Sequence, residues 1–434
     1  MKRTSLPPDP ESSAASNGTG SGVLTSLGPG LITGASDDDP SGIATYSQAG
    51  AQFGYGLCWV LLFSWPLMAA AQMVSARIGR VTGVGIAGAL RNHGYGLTLR
   101  IMVALLLVAN IINLGADLSA MADATRLLLP IPQWLLVLGF GTFCIWMQIF
   151  LPYARTVNIL KWLTLSLFAY FATVLIVDVD WKQVARDLVM PDVKLDRDYL
   201  TTIVAVLGTT ISPYLFFWQA AEEAEDVRAY PQRHNLLHAP EQADVALNRI
   251  RTDTLVGMGF SNLVALAIVI TTAATLHAHG LTNVQTSAQA AEALRPIAGE
   301  FAFVIFALGI IGTGLLAVPV LAGSAAYAVG EAFHWRTGLS RKPSKARAFY
   351  ATIAIATALG MAFSFAPIDP MSALFWAAVV NGVIAVPIMV VMMMAASNAT
   401  IMGDYAVKGR LRIAGWLSTA VMAVASLAMF AMML

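Results

Sequence analysis

Two prolines stand in the middle of apolar stretches long enough to cross a bilayer. One lies in Ser36-Asp37-Asp38-Asp39-Pro40-Ser41-Gly42 and the other in Thr209-Thr210-Ile211-Ser212-Pro213-Tyr214. A proline inside a helix removes a backbone donor and clashes with the carbonyl one turn earlier. Carboxylates at bilayer depth are costly. Irregular backbone is tolerated there mainly where it is buried in protein or lines a wet cavity. Two such breaks, far apart in sequence, predict a substrate site near the bilayer midplane built from two discontinuous helices, unwound at Pro40, Ser41 and Gly42 and at Pro213 and Tyr214.

Composition places the rest of the chain in a membrane. Of its 434 residues 57% are hydrophobic and 12% charged, against about 45–50% and about 25% in globular domains. A net charge of +1 offers nucleic acid no electrostatic handle. Cys58 and Cys144 lie in apolar runs and read as small core residues, not as a disulfide or metal framework. Residues 1–21 are rich in Pro, Ser, Gly and Asn and read as a disordered cytoplasmic tail without a cleavable signal peptide. No nucleophile–base pair, phosphate loop or HExxH pattern is present, so an enzyme is not expected.

A spanning helix needs about 20 mostly apolar residues. Eleven segments meet this, near 23–48, 54–79, 98–126, 132–152, 157–178, 199–224, 252–277, 299–330, 346–366, 370–396 and 412–433. With the N-terminus in the cytoplasm, 20 of the 26 lysines and arginines fall on the cytoplasmic side, as the positive-inside rule requires. The odd number of segments puts the C-terminus outside. Residues 22–434 read as one all-α transmembrane domain. The breaks fall in the first and sixth segments, which predicts two inverted five-helix repeats, about 22–178 and 199–396, with the eleventh helix appended.

In a broken helix the first half ends in unpaired carbonyls and the second begins with unpaired N–H groups. Three consecutive aspartates fan out at about 100° intervals and cannot all face one ion. Asp39, at the break itself, is the preferred cation ligand, with Asp38 second; capping of a helix half at the membrane surface is the weaker alternative. Thr209 and Thr210 offer carbonyls and Ser212 a hydroxyl; alternatively this break is a proline kink satisfied by serine and threonine side chains. Asp117 shares its segment with Asn110 and Asn113, and Asp123 lies toward the outer end; Asp117 either relays protons or bonds its neighbours. Glu222, Glu223, Glu225 and Asp226 read as a solvated helix end in preference to an acidic vestibule. His234 and His238, in a polar connection over about 226–250, read as solvated. Met389 and Met392 to Met394 read as packing residues in preference to a soft-metal site.

An ordered series of further pieces accompanies the breaks: Gly28-Pro-Gly-Leu-Ile, Asp39-Pro40, Gln48-Ala-Gly-Ala, Arg80-Val-Thr-Gly, Ile131-Pro132, Pro213, Asn262, Leu276-His277, Glu292-Ala-Leu-Arg-Pro, and Ala326-Tyr327 through Glu331-Ala-Phe. In these the chain resembles the natural resistance-associated macrophage protein (NRAMP) family of divalent-metal transporters, over nearly the whole membrane region. The resemblance implies a LeuT-type fold with alternating access and uptake of manganese or iron, usually with protons. It also implies a site made by an Asp-Pro-Gly-Asn motif on the first helix and an Ala-x-x-Met-Pro-His motif on the sixth. Asp39 and Pro40 match the aspartate and proline, while Ser41 stands at the glycine and Gly42 at the asparagine. Thr209 stands at the carbonyl-donating alanine, Ser212 at the methionine, Pro213 at the proline and Tyr214 at the histidine. Gln219 stands at a further histidine, Asn381 lies close to a family glutamine, and Asp117 lies where the family has an acid on its proton route.

The departures change the expected chemistry. A thioether favours transition metals over magnesium and calcium, and Ser212 removes it. Gly42 removes an amide oxygen. The remaining donors are oxygens only, which suits Mg²⁺, or Mn²⁺ with less selectivity. In the sixth segment the chain resembles a divergent, magnesium-transporting branch that also lacks the methionine; in the first it follows that branch less fully. The expected function is secondary-active transport of a divalent cation as substrate, with no cofactor, in a multi-pass plasma or inner membrane protein. Its partners are lipid, metal ion and, as an open question, protons. Two alternatives stand beside it: the same fold carrying a non-metal solute or monovalent ion, and a non-transporting membrane receptor.

Overall fold

The computed structural model describes residues 34, 37–151 and 164–433, and these are helical with no strand among them. The expected tail 1–21, most of the first half of the first segment, and Arg155 and Lys161 at the start of the fifth lie outside the described residues.

The apolar segments form helices where hydrophobicity places them. The first helices are α1 (Pro40–Phe53), α2 (Cys58–Thr82), the short α3 (Ile86–Asn92), α4 (Gly96–Arg126), α5 (Gln133–Phe150) and α6 (Phe168–Ile176). A surface helix α7 (Trp181–Val189), capped by Asp180, leads to α8 (Arg197–Thr210) and α9 (Pro213–Ala229). There follow α10 (Ala243–Thr275), the short α11 (Ser287–Glu292) and α12 (Arg295–Ala298), α13 (Ala302–Ala332), α14 (Arg347–Phe363), α15 (Pro370–Ser397), the short α16 (Ala399–Met402) and α17 (Gly409–Ala431). Among the described residues, eight helical stretches are long and apolar enough to cross a membrane. One of them, Pro40–Thr82, holds two of the expected segments, joined by a 3₁₀ turn at Gly54–Leu57. The ninth segment is α14, of 17 residues, and the fifth is described from Thr164 onward.

Both breaks fall at the expected prolines, but the irregular residues are not the ones expected. Pro40, Ser41 and Gly42 already belong to α1, and Pro213 and Tyr214 to α9. The non-helical residues are Asp38 and Asp39 in one break and Ile211 and Ser212 in the other. The physical reason is that proline suits the first turn of a helix: its missing N–H has no intrahelical partner there and its φ is pre-set. Each proline therefore starts the second half-helix, and the unwinding lies just before it.

The polar connection is also shorter than expected. Helix α9 runs to Ala229 and α10 begins at Ala243, ahead of the expected 252. The intervening loop is pinned to the end of α2. Arg80 donates to the His234 carbonyl at 2.5 Å and to Gln242 at 3.0 Å, and the Leu236 N–H donates to the Arg80 carbonyl at 3.3 Å.

The breaks lie at the centre of the bundle. Helix α1 packs on α8, α10 and α15, while α4 packs on α13, α14 and α15 and α9 packs on α2 and α13. The most apolar eighteen-residue window of Arg197–Ala229 is entirely buried. Small residues permit this density, as they do between membrane helices generally. A Cβ on Gly208 would meet the Ala378 carbonyl at 2.0 Å, and one on Gly382 would meet the Val204 carbonyl at 2.6 Å. Helices α8 and α15 therefore touch backbone to backbone.

Candidate cation site

Asp39 is the N-cap of α1, with extended backbone (φ −73°, ψ 171°). Its Oδ1 accepts from the Gly42 N–H at 2.8 Å and from the Ser41 hydroxyl at 2.6 Å. A carboxylate at an N-cap satisfies orphan donors and meets the positive end of the helix dipole. The same geometry turns Oδ2 away from α1 and toward the second break. There the Tyr214 hydroxyl donates to it across 3.2 Å. Asp39 and Tyr214 are both buried.

The second break stabilises itself with side chains. The Ser212 hydroxyl lies 2.8 Å from both the Gly208 and Thr209 carbonyls, and the Thr210 hydroxyl lies 3.0 Å from the Val206 carbonyl. These are carbonyls at the end of α8, where the proline has removed a backbone donor. The proton of Ser212 is thus used internally; what it turns toward a ligand is oxygen lone pairs. The Thr209 hydroxyl oxygen is buried without a hydrogen-bond partner.

Gly42 places the two breaks in contact. A Cβ there would lie 3.2 Å from the Thr209 hydroxyl and 3.2 Å from the Tyr46 ring. The space that a larger side chain would enter is thus taken by a threonine from α8 and a phenol from α1. The Tyr46 hydroxyl is buried without a hydrogen-bond partner. Among the described residues the hydrogen-bond partner of Asp39 Oδ2 is the Tyr214 hydroxyl oxygen.

Asp38 and Asp37 turn to a different helix. The Ser261 hydroxyl of α10 lies 2.7 Å from Asp37 Oδ2 and 3.1 Å from Asp38 Oδ1. Asp37 Oδ1 is buried without a partner. Ser261 and Tyr46 are the residues that sequence reasoning missed. Ser261 adjoins Asn262 of the matched series, and Tyr46 follows Gly42 by one turn on the same face.

Asp117 lies on α4, fully buried, and neither of its carboxylate oxygens has a hydrogen-bond partner among the described residues. It does not bond to its neighbouring asparagines: Asn110 donates to the Leu321 carbonyl and the Ser324 hydroxyl, each at 2.8 Å. Met121, one turn beyond Asp117, packs in the gap between Gly314 and Pro40. Asp123 lies farther toward the end of α4, about 9 Å from Asp117 along the axis, and lines a surface pocket with Arg126. Asn381 is not turned to the break. It exchanges hydrogen bonds with Asn113 at 3.0 and 3.2 Å, tying α15 to α4. Gln219 is buried on α9, about 7.5 Å along the axis from Tyr214.

Access differs on the two sides of the site. A cavity of about 370 Å³ opens between α1, α8, α15 and the Thr282–Val284 loop. Its lining includes Gln48, Gln52 and Arg197, and it reaches down to Ala44, one turn from Pro40. On the opposite side the acids of α9 form a buried network rather than the expected solvated end. Glu223 pairs with Arg249 of α10 at 2.5 Å. Glu225 accepts from the Leu339 and Ser340 N–H groups at 3.1 and 2.6 Å and from the Tyr327 hydroxyl. The solvated reading fails because α10 and the loop after α13 cover this face.

Known proteins share this architecture. The family profile described as "Natural resistance-associated macrophage protein-like" matches residues 30–432. A relative from Klebsiella pneumoniae, "Divalent metal cation transporter MntH", is 26% identical over 410 residues, covering 92% of each chain. One of the same description from Acidiphilium cryptum is 28% identical over 315 residues, covering 69% of this chain and 68% of the relative. Among solved structures, a variant of the Eremococcus coleocola manganese transporter superposes with a TM-score of 0.72 at 19% identity, covering 95% of this chain and 87% of that one. MhsT in complex with L-phenylalanine superposes with a TM-score of 0.59 at 12% identity, covering 93% and 97%. The fold is therefore of the LeuT type, with α1 and the α8–α9 pair as its two broken helices. The chain is a multi-pass membrane transport protein and belongs to the natural resistance-associated macrophage protein-like family.

Proposed function

We propose that this chain is a secondary-active transporter of divalent metal cations that binds its cargo at Asp39, between the two helix breaks. One observation carries the reading. A buried carboxylate at the meeting point of two broken helices uses Oδ1 to cap its own helix and turns Oδ2 to the second break, where it meets the Tyr214 hydroxyl. Thr209 supplies a carbonyl or hydroxyl, and Ser212 supplies lone pairs directly or through a retained water. Relatives named as divalent metal cation transporters support the cargo class. An oxygen-only shell favours Mg²⁺ or Mn²⁺ over softer ions. The residues about 22–178 and 199–396 act as the two repeats of one transmembrane domain, 22–434, rocking between outward- and inward-open states. The N-terminus lies in the cytoplasm of a plasma or inner membrane and the C-terminus outside, as the placement of lysine and arginine supports. Asp117, with two unsatisfied oxygens facing the interior, is the better candidate for a proton step, with Asp123 beyond it.

A second reading has one observation in its favour. Among the described residues no group of three or more His, Cys, Asp or Glu is arranged to hold a metal, which suits a monovalent ion or small solute. Uptake of Mg²⁺, Mn²⁺ and Ca²⁺ into proteoliposomes separates the two. Uptake of a divalent ion that Asp39→Ala abolishes supports the proposal. No uptake of any of the three, with saturable binding of another solute unaffected by Asp39→Ala, overturns it.

A further inference from the structure

A groove on the outside of α2, remote from the helix breaks, gathers three arginines and no acid. Helices α10 and α17 both pack on α2 and bound the groove, which encloses about 630 Å³. Arg77, Arg251 and Arg410 line it together with apolar residues that include Pro66, Met73 and Leu255. Two neighbouring arginines have partners: Arg80 binds the loop after α9, and Arg249 binds Glu223. The three in the groove have no ion-pair or hydrogen-bond partner among the described residues, and the Nε of Arg77 is buried in that state. A buried cationic donor left without an acceptor is costly, so the site is built for an anion. The start of α17 adds to this. Lys408, its N-cap, makes no side-chain cap, so the first N–H groups of a 23-residue helix point outward beside Arg410.

The arrangement along the membrane normal identifies the anion. Arg77 lies near the last turn of α2, and Arg251 and Arg410 lie near the starts of α10 and α17, so the charges share one rim. From that rim the apolar lining runs along α2 to Pro66, about 16 Å deeper. A free phosphate would use the rim and leave the apolar wall bare. A zwitterionic lipid would bring its own cation against the arginines. We propose that the groove binds an anionic phospholipid, with its phosphate held by Arg77, Arg251 and Arg410 and an acyl chain lying against Met73, Pro66 and Leu255. Basic pockets between membrane helices take anionic headgroups for this reason. A lipid so placed bridges α2, α10 and α17.

Native mass spectrometry and thermal unfolding of the full chain test this, with phosphatidylglycerol, phosphatidylcholine and inorganic phosphate as probes. Wild-type protein is expected to keep phosphatidylglycerol under activation that strips phosphatidylcholine. Its unfolding midpoint should rise by several degrees with phosphatidylglycerol and not with inorganic phosphate. The triple variant R77Q/R251Q/R410Q loses both effects, and R77K/R251K/R410K keeps most of each. Should the triple glutamine variant fail to fold, R410Q alone, at an exposed position, is expected to lower the retained lipid fraction at least threefold. Equal retention of the two lipids by wild type, an unchanged preference in the glutamine variants, or stabilisation by inorganic phosphate alone overturns the proposal.

Discussion

Tyr214→Phe is the substitution that tests the candidate cation site most directly. The phenol donates to Asp39 Oδ2 at 3.2 Å, and no other described group donates to that oxygen. Oδ1 is already occupied by Ser41 and Gly42, so Oδ2 is the oxygen a cation takes. Tyr214 therefore competes with the cargo. Removing the phenol leaves Oδ2 unsatisfied in the empty protein but not in the loaded one. A hydrogen bond to a charged group contributes about 1.5–3 kcal/mol. At 3.2 Å this one is longer than a strong O–H···O⁻ bond, at about 2.5–2.7 Å, which points to the lower end, about 1.5 kcal/mol. That converts to roughly tenfold tighter binding. Isothermal titration calorimetry of Mg²⁺ and Mn²⁺ on purified wild type and Tyr214→Phe reads it, with Asp39→Ala as the null control. Weaker binding in Tyr214→Phe would refute the reasoning, because the phenol oxygen would then be a ligand and not a competitor.

Two further outcomes are expected. Glu223→Ala leaves Arg249 buried and without its 2.5 Å carboxylate partner; thermal unfolding in detergent should report a loss of about 3–5 kcal/mol, and E223L/R249M should recover much of it. Ser212→Met restores a thioether at the second break, and competition uptake should shift at least tenfold from Mg²⁺ toward Mn²⁺ and Cd²⁺; an unchanged ratio would show that the position does not face the cargo.

The helices and both breaks were legible from sequence because they follow from one-dimensional quantities: runs of apolar residues, and prolines that cannot sit inside them. That Asp39 stands at the break was legible for the same reason, since it directly precedes a proline. What faces what was less so. Ser212 was read as offering a hydroxyl, and its proton goes back to the carbonyls of α8, a local demand that the proline itself creates. Asn381 was read as lying close to a family glutamine, and Asn113, distant in sequence, takes up its amide. Glu223 looked solvated because its partner Arg249 lies on another helix. The partners of Asn381 and Glu223 share one origin: a polar side chain in a membrane protein is satisfied by whichever helix is adjacent, and adjacency between helices is not written in either helix alone. Tyr46 shows the converse, a phenol on an apolar helix that reads as packing until Gly42 exposes the contact with Thr209.

Asp39 terminates α1 and is also the carboxylate nearest the second break. One side chain thus has two employers. A cation bound as proposed would draw electron density toward Oδ2 and weaken what Oδ1 gives to the Gly42 N–H, so the first turn of α1 would sense occupancy as a loosening of its cap. The helix need not be pushed by the ion's size. It is released by the ion's charge, and an empty site restores the cap unaided. Loading and unloading as proposed would then be transmitted as the fraying and tightening of a single helical turn, beside the cavity that reaches Ala44.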